Sequence, residues 1–263
     1  MLAPDTSVPL SPALVAGAAA TAFIGGAINS IAGGGTLVTF PSLVALGVPP
    51  LVANTTNTMA LWPGAVGSLW GYRGRLAGMR PWLVRFSIPS ALGGLTGGWL
   101  LLAAGSDRFD AIVPYLVLGA TLLFLANGPL GRWLRARSGG DHGLPHTGVA
   151  FFLAQFGVGV YGGYFGAGIG ILMLAVLGLS GLADIHQMNG VKAWGAMLIN
   201  VVAAVLFAAR GAVVWPLAAI MAAGAIAGGY GGSIIAQRVT PALVRATVVA
   251  IGFGTFIWLL LRR

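Results

Sequence analysis

The chain of 263 residues contains a single lysine, Lys192, and no glutamate. Lys192 lies inside an apolar stretch, with Asn189 before it and Asn200 after it. Helical residues are rotated by about 100° each, so positions 189, 192, 196 and 200 fall within an arc of about 80°. The lysine and both asparagines therefore share one face. With a helix starting near residue 184, Lys192 sits about 12 Å along its axis. If that helix lies in a bilayer, an unpaired charge costs at least about 2.5 kcal/mol. The nearest acid, Asp184, is about two turns away. A cation without a protein counter-ion suggests that the substrate brings the negative charge.

A second polar constellation, Asn54, Thr55, Thr56, Asn57 and Thr58, opens another apolar run. It supplies amides and hydroxyls where hydrocarbon is the rule. A third kind of feature is backbone rather than side chain. Gly33, Gly34 and Gly35 interrupt an apolar stretch just before Thr36, and Gly166-Ala167-Gly168 does the same in the second half. A helix broken inside a bilayer frees N–H and C=O groups that lipid cannot satisfy, so the break must be covered by protein or open on a polar cavity. A helix restarting at Thr36 would turn its N-terminal amides and the positive end of its dipole into that cavity, which suits an anion. The expected substrate site therefore comprises Gly33, Gly34, Gly35, Thr36, Asn54, Thr55, Asn57, Gly166, Gly168, Asn189, Lys192 and Asn200. Each has a plainer alternative. Glycines also permit close helix crossing, lysine can snorkel to a headgroup, and asparagine can join helices.

Other chemistry is thinly represented. Asp184 and His186 fall in a turn between segments, where solvation or packing accounts for them. Asp141, His142 and His146 share a loop but lack zinc-ligand spacing. The glycine runs do not follow a strand in a βαβ unit, so no dinucleotide fingerprint applies. HExxH, GxSxG and paired intramembrane carboxylates are all missing, which argues against an enzyme. No cofactor or metal is expected. Without cysteine, disulfides and thiolate metal sites are excluded.

The elements that must hold these residues are membrane helices. Hydrophobic residues make up 57% of the chain and charged residues 7%, against roughly a quarter charged in soluble domains. Too few polar residues remain to cover a water-facing surface. The 43 glycines fit helices packed closely in lipid, and the unbroken apolar runs are far longer than the alternating strands of a barrel. Apolar runs fall at 12–31, 35–47, 50–72, 81–104, 110–128, 147–165, 168–180, 185–208, 213–236 and 242–261. The runs at 35–47 and 168–180 are too short to span easily and read as re-entrant or broken segments. The other eight have spanning length. The fold expected is an all-α polytopic bundle of about eight spans plus two short segments.

The net charge of +9 comes from arginines at segment ends, as the positive-inside rule places them, so nucleic acid is not an expected partner. Arg73, Arg75 and Arg80 lie in one connection and Arg132, Arg135 and Arg137 in another, while the turn at 105–110 carries no net positive charge. Eight spans put both basic loops and both termini in the cytoplasm. Arg262 and Arg263 agree; Arg238 and Arg245 fall outside. The N-terminus has no basic region before its apolar run, so a cleaved signal peptide is not expected. The protein is thus read as multi-pass in the cell membrane.

The two halves are alike. Residues 32–47 correspond to 165–181, and 91–101 line up with 225–235, setting Gly94, Gly97 and Gly98 opposite Gly228, Gly231 and Gly232. The domain reading is a first repeat at 1–131, a linker at 132–146 and a second repeat at 147–263. Transporter sites form where such repeats meet.

The stretch AGGGTLVTFPSLVALGVPPLVANTTNTMALWPGAVGSLWGYR (32–73), with FGAGIGILMLAVLG and NGVKAWGAMLIN (189–200) in the second half, resembles the TauE/SafE-type sulfite exporter family, whose members are often called probable membrane transporter proteins. The similarity runs through both halves in order. The resemblance implies a duplicated cytoplasmic-membrane protein of about eight spans that moves sulfite, sulfonates or related sulfur oxyanions. NTTNT stands where many relatives have a GTS-like triplet. The function expected is a secondary transporter for a small anion, exporting rather than importing. A carrier of an unrelated organic anion, or a non-transporting assembly subunit, is the alternative. Its partners are a small anionic substrate and the bilayer, with a homo-oligomer left open.

Overall fold

The computed structural model describes residues 4–31, 34–76, 78–137, 148–179, 182, 185–235 and 241–262, some of them through their backbone alone. Gly33, Asp141, His142, His146 and Asp184, and the side chain of His186, lie outside the described residues.

The described residues fold almost entirely into helix. In chain order these are α1 (Pro12–Ile31), α2 (Thr36–Ala45), α3 (Pro50–Tyr72), a 3₁₀ turn (Arg73–Leu76), α4 (Arg80–Arg137), α5 (Val149–Tyr164), α6 (Ile169–Leu179), α7 (Ile185–Ala209), α8 (Trp215–Ile235) and α9 (Pro241–Leu261). Proline opens α1, α3 and α9, where its fixed φ suits the first helical position and its missing N–H costs nothing. The all-α polytopic class is as the apolar runs predict. Among the described residues, four helices are long and apolar enough to cross a membrane, one of them holding the stretch Leu83–Ala126. At about 1.5 Å per residue, α2 and α6 reach only about half of a hydrocarbon core roughly 30 Å thick.

The break between residues 81–104 and 110–128 is narrower than the sequence suggests. Gly105 alone leaves helical geometry, with φ 74° and ψ 177°, a conformation open essentially to glycine. Helix resumes at once, leaving Asp107, Arg108 and Asp110 exposed on it. Without that break the apolar stretch would run about 66 Å, twice the bilayer core. The expected 132–146 loop also starts late, because α4 continues to Arg137.

Packing crosses between the halves. Helix α1 lies on α8, and α4 lies on α5. Both contacts rest on glycine. A Cβ placed on Gly228 would stand 1.9 Å from the Phe23 carbonyl oxygen, and one on Gly97 would stand 2.0 Å from that of Val160. The backbones therefore touch, as small residues allow in lipid. Helices α3 and α7, which carry the two polar constellations, also pack on each other. The core divides into an aromatic group around Phe40, Phe109 and Phe165, with the Phe40 and Phe165 rings edge-on at 5.3 Å, and a smaller group around Phe86, Met173 and Leu177. Val84, Trp99, Tyr115, Leu153 and Val205 are more than half exposed. Large apolar side chains on the outside of so apolar a chain mark a lipid-facing surface.

Candidate polar site at the second helix break

The stretch Tyr164–Gly170 joins α5 to α6 and contains two residues at positive φ, Gly166 (81°) and Gly168 (81°). Helix α5 ends as the Phe165 and Gly166 amides donate back to the Tyr161 carbonyl at 2.9 and 3.3 Å. Helix α6 then begins with tight turns, Ile169 N–H to Gly166 O and Ile171 N–H to Gly168 O. Among the described residues, the amides of Ala167 and Gly168 find no backbone acceptor, though Ala167 is only 1% exposed. Tyr161 steadies the break by donating its hydroxyl to the Ala167 carbonyl at 2.7 Å.

Side chains from two other helices meet this stretch. From α3, Asn54 donates its Nδ2 to the Tyr164 carbonyl at 3.0 Å. Asn54 is 1% exposed, and its Oδ1 has no hydrogen-bond partner. From α7, Asn200 stands beside Gly166: a Cβ there would lie 3.9 Å from the asparagine Oδ1. Lys192 lays its methylenes along Gly170, whose Cβ would come within 3.2 Å of the lysine Cδ. The ammonium donates to Asn189 Oδ1 at 2.8 Å, a neutral partner that orients the charge without cancelling it. Asn54 and Asn200 thus meet the break at Tyr164 and Gly166, while Lys192 and Asn189 lie beside Gly170, about 12 Å along α7 from Asn200, and Gly168 faces Ala120 and Leu123.

Other residues of the expected site go elsewhere. Thr55 is fully buried, and its single hydroxyl proton has the Ala212 carbonyl and those of Leu51 and Val52 in its own helix within hydrogen-bond reach. Its neighbour Thr56 accepts the Val214 amide at 3.1 Å. Together they fasten α3 to the α7–α8 connection. Asn57 is 2% exposed and its Oδ1 is unpartnered. The described part of the first break, Gly34 and Gly35, is packed tightly. Gly34, at φ 89°, faces Phe124, where a Cβ would come within 2.6 Å of the ring, and Gly35 presses on the Gly25 carbonyl. Thr36 starts α2 behind it.

Tyr161 and Gln155 were not among the residues singled out from the sequence. Gln155 is fully buried and donates to Ser90 Oγ at 2.9 Å, joining α5 to α4. A lone glutamine in VAFFLAQFGV is a readable signal of a buried tether. For Tyr161, whose role depends on a carbonyl six residues on, no such signal exists.

Polar side chains beside a broken helix are common to many membrane carriers, and sequence comparison narrows the choice. Residues 18–259 match the family described as Sulfite exporter TauE/SafE. The chain belongs to the TauE/SafE sulfite exporter family. A "Probable membrane transporter protein" of Haemophilus influenzae is 30% identical over 240 residues, covering 88% of each chain. The "Probable membrane transporter protein YfcA" of Escherichia coli K12 is 29% identical over 250 residues, covering 92% of this chain and 88% of the relative. The "Probable membrane transporter protein ORF9" of a Sinorhizobium species is 29% identical over 243 residues, covering 91% and 89%. No solved structure matches. The TauE/SafE assignment agrees with the resemblance read from residues 32–73 and 189–200, and makes the chain one of a family of membrane transporters.

Proposed function

We propose that this protein moves a small sulfur oxyanion, sulfite or a sulfonate, out of the cell through the polar site at Tyr164–Gly170. The observation that carries this reading is Lys192, an ammonium held beside a broken helix by a neutral amide. The free amides of Ala167 and Gly168 add dipoles of the same sign. The family's name supports a sulfur oxyanion as substrate, and the lysine supports a negative charge on it.

In this reading the chain is two repeats, 1–131 and 147–263, around a linker at 132–146. Helices α2 and α6 enter the membrane without crossing, eight spans cross it, and both termini stay in the cytoplasm of the cell membrane. Substrate from the cytoplasm would exchange its hydration shell for Lys192, Asn200 and the break amides. Outward movement of an anion needs no proton relay, because an inside-negative potential contributes about 2.3 kcal/mol per charge per 100 mV.

Proteoliposomes loaded with labelled sulfite test the reading. Losing a charge-assisted hydrogen bond costs about 1.5–3 kcal/mol, so Lys192→Ala should raise the apparent KM roughly ten- to a hundredfold. Lys192→Arg, keeping the charge, should recover part of the loss. Efflux in Lys192→Ala equal to wild type would remove the charge role.

A further inference from the structure

A site for a bare oxyanion needs only donors, yet Asn54, bonded to the Tyr164 end of this one, also carries a buried acceptor without a partner. Asn54 donates Nδ2 to the Tyr164 carbonyl at 3.0 Å. That bond fixes which way the amide faces, because turning it over would set two oxygens against each other. The end left over is therefore Oδ1, and it is buried with no partner. Three residues along the same helix, buried Asn57 has an unpartnered Oδ1 as well. A buried oxygen without a donor costs about 1–3 kcal/mol, and an acceptor-only anion beside it would add repulsion.

Resting on the anion-transport reading of this same site, we propose that the protein recognises a monoanion bearing its own hydrogen-bond donor, with Asn54 as the residue that selects for it. For an oxyanion this is the singly protonated form, whose O–H faces Asn54 while its charged oxygens face the amides of Ala167 and Gly168, with the Lys192 charge beside Gly170 attracting it from along α7. Among monoanions with three bare oxygens on sulfur, it is a sulfamate, whose N–H donates, rather than a simple alkylsulfonate. Asn200 and the Tyr161 hydroxyl, which already donates to Ala167, border the same stretch and complete its polar lining. A doubly charged, fully deprotonated oxyanion would leave the Asn54 oxygen unpaired and meet one ammonium with two charges. It is the disfavoured species.

Sulfamate and methanesulfonate separate these cases, because they match in charge and nearly in size, and differ in an amino group against a methyl. Each is added as a competitor of labelled sulfite in proteoliposomes containing the full chain. Leaving a buried acceptor unpaired corresponds to a discrimination of at least about tenfold, so sulfamate should inhibit at least about ten times more strongly than methanesulfonate. In Asn54→Leu that ratio should fall towards one. The wild-type ratio carries the test even if the variant does not fold. Methanesulfonate inhibiting as well as sulfamate would overturn the proposal while leaving anion transport standing, and so would neither inhibiting while sulfite still moves. Absence of any sulfite flux in wild type would instead remove the transport reading, and this inference with it.

Discussion

The two helix breaks are written in nearly the same residues and are finished differently. Each sets a glycine at positive φ before a short apolar helix, Gly34 ahead of α2 and Gly166 with Gly168 ahead of α6. Around Gly34 and Gly35 of the first, the nearest neighbours are the Phe124 ring, the Gly25 backbone and the Cβ of Asn29. Around the second they are Asn54, Lys192 and Asn200. A glycine at positive φ bends the chain in either setting. What the bend is for depends on what lines it, hydrocarbon making a joint and polar side chains making a site. The exchange of helices between halves helps explain how one break acquires both: Asn54 reaches Tyr164 from 110 positions away.

The sharpest way to break this contrast is to place the same methyl group at both bends. At Gly34 alanine would suffer twice, from φ 89° and from a ring 2.6 Å away. Strained backbone costs about 1–3 kcal/mol and overpacking about 1–3 more. Gly34→Ala should therefore lose about 2–6 kcal/mol of stability, measured by unfolding in detergent. At Gly168 the nearest atom to the new methyl is 3.7 Å away, so only the backbone strain applies and Gly168→Ala should lose about 1–3 kcal/mol. Its methyl would face Ala120 and Leu123 of α4, so transport should suffer only as far as the strained backbone shifts the Gly168 amide. Equal destabilisation of the two variants would mean that the first break is no tighter than the second.

Sequence alone went far towards this contrast, then stopped at a definite place. The helices were legible because long apolar runs in a chain with 7% charged residues have few other folds open to them. The face holding Asn189, Lys192 and Asn200 was legible because helical periodicity fixes it locally. The closing of the first break was not, since Phe124 lies far along the chain and nothing near Gly34 announces it. Thr55 and Asn54, adjacent in the sequence, looked equivalent as polar groups. A side chain's partner is set by tertiary approach, and consecutive residues of a helix point about 100° apart.

That pair gives a second comparison, of smaller expected size. The Thr55 hydroxyl is taken up by the Ala212 carbonyl. Thr55→Val should therefore cost about 1–3 kcal/mol of stability by leaving a buried acceptor unpaired, with the apparent KM for sulfite unchanged. Asn200→Leu should do the reverse, raising KM several-fold while the unfolding midpoint moves little. A Thr55→Val variant with wild-type stability and a raised KM would return Thr55 to the substrate path.

The smallest effect expected is also the most local. Gly170, in the first turn of α6, supports the stem of Lys192, and a Cβ there would come within 3.2 Å of the lysine Cδ and 3.7 Å of Cγ. That distance is tight without being impossible, and a flexible stem can yield by a few tenths of an ångström. Gly170 has no positive φ, and alanine is the better helix former by about 1 kcal/mol. Gly170→Ala should therefore keep or slightly raise stability, while displacing the ammonium enough to raise the apparent KM about two- to fivefold at constant turnover. A displaced charge differs from a lost one, so the effect must stay well below that of Lys192→Ala. If Gly170→Ala changed turnover and left KM alone, the lysine stem would be sensing a moving α6 rather than holding a substrate, and the second break would join the first as a hinge.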